Sequence, residues 1–221
     1  MTEQEWLAGK RSYDLIYHPK CRDDRKRRLL ACACARRVLP FLHDERFARV
    51  VAECERYADA EIDWAEMLAV RKLFRAARAD LDSARGLEYQ NHAAGAVGAI
   101  TAKEFMSFKM AIEAAQHAIG AHSRPAFMEG CATEATEQLA LARDIFVNPF
   151  RRPVFDPSWR TDTALSLARQ MYEGQEFSAM PILADALQDV GCDSADILAH
   201  CRGSGPHVRG CWVVDLVLGK S

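Results

Sequence analysis

Small and apolar residues recur three and four positions apart from Arg25 to Phe146, and this spacing limits the possible folds more than any other feature. Such a period places side chains on one face of an α-helix, whereas a strand needs apolar residues at every second position. Alternating β-branched residues are nearly absent. Because 49% of the 221 residues are hydrophobic, the chain can also bury a core. The sequence predicts an all-α fold, a multi-helix bundle.

Aspartates mark the predicted helix starts. A carboxylate at the N-cap accepts hydrogen bonds from the free N–H groups of the first turn. Asp23 or Asp24 is therefore expected to begin a helix that runs to about residue 42, and Asp44 and Asp63 to begin the next two. Two longer helices are predicted over about residues 86–120 and 126–146, the first with small residues that allow close helix packing.

A proline-containing strap is predicted over residues 148–160, which hold Pro149, Pro153 and Pro157. It separates a helical bundle, residues 1–147, from a small C-terminal helical subdomain, residues 161–221. Trp159 is expected to pin the strap to the helices that follow it.

Within the C-terminal subdomain, start and stop signals are clear. Thr161 is expected to begin a helix, Pro181 to lie in the first turn of the next, and Gly191 to end that one in a left-handed conformation. The last helix is predicted from Pro206 to about residue 218.

Charge and cysteine content narrow the class of protein. The formal charge of −2 and a pI near 6.4 create no overall field for nucleic acid or an anionic membrane. The start is acidic and no apolar run approaches the roughly 18 residues of a membrane span, so we expect a cytoplasmic protein.

The eight cysteines are expected to be free thiols. Cys32 and Cys34 point about 200° apart on a helix and should differ in exposure.

The C-terminal region holds the strongest candidate for a metal site, formed by His200, Cys201, His207 and Cys211, with Cys192 in reserve. Positions 207 and 211 would share one face of the predicted last helix, and zinc is often bound by such a pair plus two further ligands. The adjacent pair 200–201 is poorly suited to chelation. The favoured interpretation is a structural cluster without a cofactor, and zinc is the alternative.

The turn between the last two helices is a candidate anion site. Arg202, Ser204, Gly205 and Arg209 could hold a phosphate or carboxylate if a helix began directly after the turn. The competing interpretation is a tight turn in which Gly203 and Gly205 supply positive φ.

A basic segment at residues 20–37 is a candidate surface for nucleic acid or an acidic partner, with Arg25, Lys26, Arg28 and Arg36 as its contact residues. Base-stacking aromatic residues are not interleaved with these charges, and consecutive charges point around the helix. A solvated, salt-bridged face is therefore favoured.

Several motifs resemble a family of uncharacterised bacterial proteins. They are TEQEWL at residues 2–7, RRLLACAC at 27–34, NPF at 148–150, DPSW at 156–159, PILADAL at 181–187 and DILAHCRGSGPHVRGCWVVDLVLGK at 196–220. The resemblance implies a bacterial cytoplasmic protein and carries over no catalytic residue.

Together these features favour a non-enzymatic helical module that binds a protein partner or a second copy of itself, because no nucleotide loop or recognisable catalytic motif is present. Two alternatives stay open. One is a zinc protein or enzyme that uses the C-terminal Cys/His cluster, and the other is a nucleic-acid-binding regulator that uses the basic helix.

Overall fold

The structure, a computed structural model, describes residues 2–9, 18, 21–103 and 106–220. The predicted basic segment at residues 20–37 begins with Lys20, which lies outside the described residues. In the described ranges the chain is all-helical and has no strand, which confirms the predicted fold class. No described helix combines the length and apolar character of a membrane span.

Eleven α-helices occur in the described residues, together with short 3-10 turns at Leu39–Phe41 and Pro157–Trp159. They are α1 Glu3–Ala8, α2 Asp24–Val38, α3 Glu45–Ala58, α4 Trp64–Ser83, α5 Glu88–Ile100, α6 Met106–His122, α7 Phe127–Ile145, α8 Asp162–Gly174, α9 Met180–Asp189, α10 Ala195–Arg202 and α11 Trp212–Leu218.

The chain forms two compact units. The N-terminal unit comprises Ala8–Ala142, and the C-terminal unit comprises Met1–Leu7 with Arg143–Ser221. The strap therefore groups with the helices that follow it, and the last turn of α7 belongs to the C-terminal unit. The finer division at residues 148–160 stays a prediction.

Three aspartates cap helices of the N-terminal unit as predicted. Asp23 accepts from the backbone N–H of residue 26 at 2.9 Å, and Asp44 accepts from that of residue 46 at 2.9 Å. Asp63 forms a reciprocal capping box with Glu66. Helix α2 ends at Val38, earlier than expected, because the following proline favours the 3-10 turn.

The expectation that Cys32 and Cys34 differ in exposure is wrong, since both are 0% exposed. Helix α2 packs against α3, α5 and α6, and every residue from Arg27 to Ala35 is buried. A helix that is covered on several sides has no exposed face for alternate residues to occupy.

The single helix predicted over residues 86–120 is two helices, α5 and α6. The chain turns after Ile100, where the Thr101 hydroxyl donates to the Gly98 carbonyl at 2.7 Å. The expected close packing does occur, because a Cβ on Gly98 would lie 2.5 Å from the Phe74 ring.

The C-terminal unit is built around its own core, in which α8 packs against α9 and α11. Thr161 caps α8 and Pro181 lies in the first turn of α9, as predicted. Gly191, the residue after the C-cap Val190 of α9, has φ +90°, the left-handed conformation expected there. Trp159 is part of this core and contacts Phe155 edge-on, which fits its expected role in pinning the strap.

The predicted start of the last helix is wrong. Helix α11 begins at Trp212, and residues 206–211 are not helical. The reason is Gly210, whose φ of +96° turns the chain immediately before Cys211.

Candidate metal centre

Four side chains from separate segments of the C-terminal unit converge on one buried point, and we call them the Asp144 cluster. Asp144 lies in the last turn of α7, and His200 lies in α10. His207 belongs to the segment between α10 and α11, and Cys211 precedes the first residue of α11.

Asp144 is the centre of the hydrogen bonds in this cluster. Its Oδ1 lies 3.1 Å from His200 Nε2 and 2.8 Å from His207 Nδ1, and its Oδ2 accepts the backbone N–H of Val208 at 2.9 Å. The side chain is only 2% exposed. Burial opposes ionisation, but the hydrogen bonds from the two histidines outweigh it and lower the pKa of Asp144.

Cys211 is the N-cap residue of α11 and is fully buried. Its Sγ lies 3.2 Å from His200 Nε2 and 3.9 Å from His207 Nδ1. Burial, reinforced by the charge of Asp144, raises the pKa of this thiol well above its usual value. The backbone N–H groups of Val213 and Val214 act in the opposite direction, as donors that favour the thiolate.

The tautomer of His200 follows from its contact with Trp212. The indole N–H donates to His200 Nδ1 at 3.1 Å. An indole N–H can only donate, so Nδ1 must accept and a neutral His200 carries its proton on Nε2. That proton is then available to Asp144.

His207 has one satisfied ring nitrogen and one without a partner. Nδ1 faces Asp144, whereas the buried Nε2 has no hydrogen-bond partner in the described part of the chain. A buried polar atom of this kind has a free-energy cost of about 1–3 kcal/mol, which the rest of the cluster must offset.

The four potential ligand atoms all lie within 4.8 Å of one another. Two imidazole nitrogens, one thiolate and one carboxylate oxygen are donors that zinc accepts, at about 2.0–2.3 Å from the ion. A tetrahedral site with bonds of this length places its ligand atoms roughly 3.3–3.8 Å apart. The pairs now in contact at 2.8–3.2 Å would therefore have to separate slightly to admit an ion. A cleft of about 280 Å³, lined by His200 and Trp212 among others, adjoins the cluster.

Three of the four predicted metal ligands, His200, His207 and Cys211, belong to this group. Cys201 does not belong to it, and its place is taken by Asp144. Cys201 lies fully buried in the apolar core, where burial raises the pKa of its thiol to about 12.

Sequence reasoning missed Asp144, although a signal was present. The residue lies among Leu141, Ala142 and Ile145 near the end of a predicted helix. A carboxylate on an apolar face is costly, and a helix C-terminus repels negative charge. An aspartate that is both on an apolar face and at a helix C-terminus is therefore a candidate for a functional or structural role.

The predicted anion-site residues do not converge on one point, and the two arginines contact different groups of the protein. Arg202 bonds to Asp185 at 2.8 Å and to Gln188 at 2.6 Å, and Arg209 lies over the Tyr172 ring. Ser204 and Gly205 are exposed. No helix starts directly after this turn. The exposed N–H groups of a helix N-terminus, which were expected to bind the anion, are therefore not present at this position. Gly203, with φ −67°, also lacks the predicted positive φ.

The predicted basic contact residues are mostly directed inward. Arg36 forms a bidentate pair with the buried Glu55 at 2.5 and 2.8 Å, and Arg25 bonds to Asp59 at 2.8 Å. Arg28 is 7% exposed. Lys26 is half-buried.

Comparison with known proteins supplies no assignment: no protein-family model, curated protein or solved structure matches this chain.

Proposed function

We propose that the C-terminal unit binds a divalent metal ion of the zinc class through Asp144, His200, His207 and Cys211. The observation that carries the proposal is the convergence of four donor atoms, within 4.8 Å of one another, of which Asp144 comes from a segment far from the other three in sequence. Zinc suits this mixed set of nitrogen, sulfur and oxygen donors.

Charge balance supports a divalent ion. A bound metal requires the thiolate of Cys211, and with the carboxylate of Asp144 this gives two negative charges in a buried site. Two neutral imidazoles add none. A divalent cation makes the assembly neutral, which removes the large cost of uncompensated buried charge.

Metal binding to His200 replaces the hydrogen bond from Nε2 to Asp144 and also changes the contact with Trp212. The lone pair on Nε2 becomes available only if its proton leaves, and a neutral metal-bound imidazole then carries a proton on Nδ1. Trp212 also donates towards Nδ1. Two donors cannot face one another in a hydrogen bond, so metal binding breaks the indole contact.

The role that follows is structural. Four protein ligands fill a tetrahedral shell and leave no position for a substrate, as in structural zinc sites. The ion would tie the end of α7 to α10, to the turn that follows and to the start of α11. Its binding free energy would add directly to the stability of the C-terminal unit.

The decisive experiment compares Cys211→Ser with Cys201→Ser. Both cysteines are fully buried, so both variants lose a buried thiol, but only Cys211 belongs to the cluster. Each protein is stripped with chelator, titrated with Zn²⁺ by calorimetry, and titrated with Co²⁺ to reveal thiolate ligation through its charge-transfer absorption.

We expect wild type and Cys201→Ser to bind one equivalent of metal and to show the charge-transfer band. Cys211→Ser should lose the band and weaken Zn²⁺ binding by about 100-fold or more. Absence of saturable Zn²⁺ binding in the wild-type protein refutes the proposal. Equal loss in both variants assigns the effect to general damage of the core and also refutes it.

The other functions expected from the sequence stay predictions. The protein-interaction module, the enzyme that uses the Cys/His cluster and the nucleic-acid regulator have no support among the described residues comparable to the four converging donors.

A further inference from the structure

Arg28 in the N-terminal unit carries a buried charge that is not paired with any described carboxylate. The residue is 7% exposed, and its hydrogen bonds run from Nη1 to the carbonyls of Ile100 at 3.2 Å and Ala102 at 3.0 Å. Arg25 and Arg36, on the same helix, each pair with a carboxylate. A buried guanidinium without such a partner is costly.

Aromatic rings cover the same guanidinium. Its central carbon lies 4.7 Å from the ring centroid of Tyr57 and 4.7 Å from that of Phe108. These contacts stabilise the cation without neutralising it. A guanidinium has five N–H donors, and Nη1 accounts for two of them. The other three N–H donors of Arg28 are on Nε and Nη2. The Arg28 side chain lines a cleft of about 390 Å³.

The other charges that line this cleft favour an anion. Among the residues that the structure describes, they are Arg25, Lys103 and Asp24. Arg25 is neutralised by Asp59 at 2.8 Å, and the exposed Asp24 lies 3.6 Å from Arg27. Lys103 is exposed, with its ammonium 5.7 Å from the Trp64 ring. Of the described charges at this cleft, those of Arg28 and Lys103 therefore dominate the local field.

We propose that this cleft binds the phosphate group of a small phosphorylated molecule. A guanidinium presents several donors to phosphate oxygens, and a lysine adds a point charge. The apolar part of the ligand would lie against Ile62 and Tyr57, which also line the cleft.

The size of the site argues for a small molecule rather than a nucleic-acid strand. A strand needs a continuous track of cations along its backbone. Further along α2, Arg36 pairs with Glu55 and Arg37 pairs with Glu134, so the charges that would extend the track are already used.

The test uses the full chain, with inorganic phosphate and AMP as probes in calorimetric titrations. Lys103→Gln removes the exposed lining charge with little effect on folding. Lys72→Gln is the matched control, since this residue is exposed on α4 of the same unit and does not line the cleft.

We expect saturable binding of at least one probe, weakened about fivefold by Lys103→Gln and unchanged by Lys72→Gln. Tighter binding of AMP than of phosphate identifies a monoester as the preferred ligand, and equal binding identifies the phosphate group alone. Absence of saturable binding for both probes overturns the proposal, and so does equal weakening by the two variants.

Discussion

Replacing Trp212 by phenylalanine should strengthen metal binding, although it removes a hydrogen bond from the protein. In the structure the indole N–H holds His200 in the tautomer whose Nε2 carries a proton. This tautomer cannot donate its Nε2 lone pair to a metal. The substitution removes the donor and keeps an aromatic ring in a position that is 7% exposed.

The magnitude follows from the hydrogen bond that only the metal-free state contains. A buried hydrogen bond of this kind contributes about 1 kcal/mol net. Its loss destabilises the metal-free protein by that amount, whereas the metal-bound form, in which the indole N–H has already lost this partner, is not destabilised. The dissociation constant for Zn²⁺ should therefore fall about fivefold. The smaller ring reduces core packing in both states, so this effect cancels in the affinity.

The assay is competition of the apo-protein with a chromophoric zinc chelator, in wild type and Trp212→Phe. Trp159→Phe is the control, because Trp159 lies in the same apolar core and is not part of the cluster. We expect the control to match wild type. Affinity in Trp212→Phe that equals or falls below that of wild type refutes the role of His200 as a ligand.

Three other measurements test the structure. The lowered pKa of Asp144 means that its ionised form stabilises the fold, so metal-free protein should lose stability as the pH falls below about 4. Asp144→Asn should reduce this dependence in acid denaturation, and the remainder comes from other carboxyls with a lowered pKa, such as Asp44 and Asp156. Gly210→Val should lower the unfolding free energy by about 1–3 kcal/mol, because φ at this position is +96° and a β-branched residue is strained there. Gly205→Val should change the unfolding free energy by less than about 0.5 kcal/mol, because a Cβ at this position meets nothing within 4 Å. Mass spectrometry after brief thiol labelling of the native protein should find modification at Cys131, the one cysteine that is not buried, and labelling of the others at the same rate would contradict the packing.

Local signals predicted much of the fold. The capping chemistry of Asp44, Asp63 and Thr161 is contained within a few residues, so the sequence identifies these helix starts directly. The predicted start of the last helix at Pro206 was wrong for a different reason. Proline favours the first turn of a helix, but the backbone conformation of Gly210 depends on how the segment packs, and no local pattern predicted it.

The candidate site could be predicted only in part. His200, His207 and Cys211 lie within one short stretch, and their residue types suggested metal binding. Asp144 is 56 positions from its nearest partner in the cluster, and only the folded chain brings it there. Cys201 was chosen because it is adjacent to His200, whereas neighbouring side chains on a helix diverge by about 100°.

The enclosure of α2 also has an evolutionary consequence. Nine consecutive residues of this helix, Arg27 to Ala35, are buried, and the last five of them are alanine or cysteine. A larger side chain at any of these five positions would have to displace a neighbouring helix. Related sequences should therefore exchange only alanine, serine, cysteine and glycine there, while the exposed positions of α4 diverge freely. In a family alignment, this short run of small residues would be the signature by which distant relatives are found.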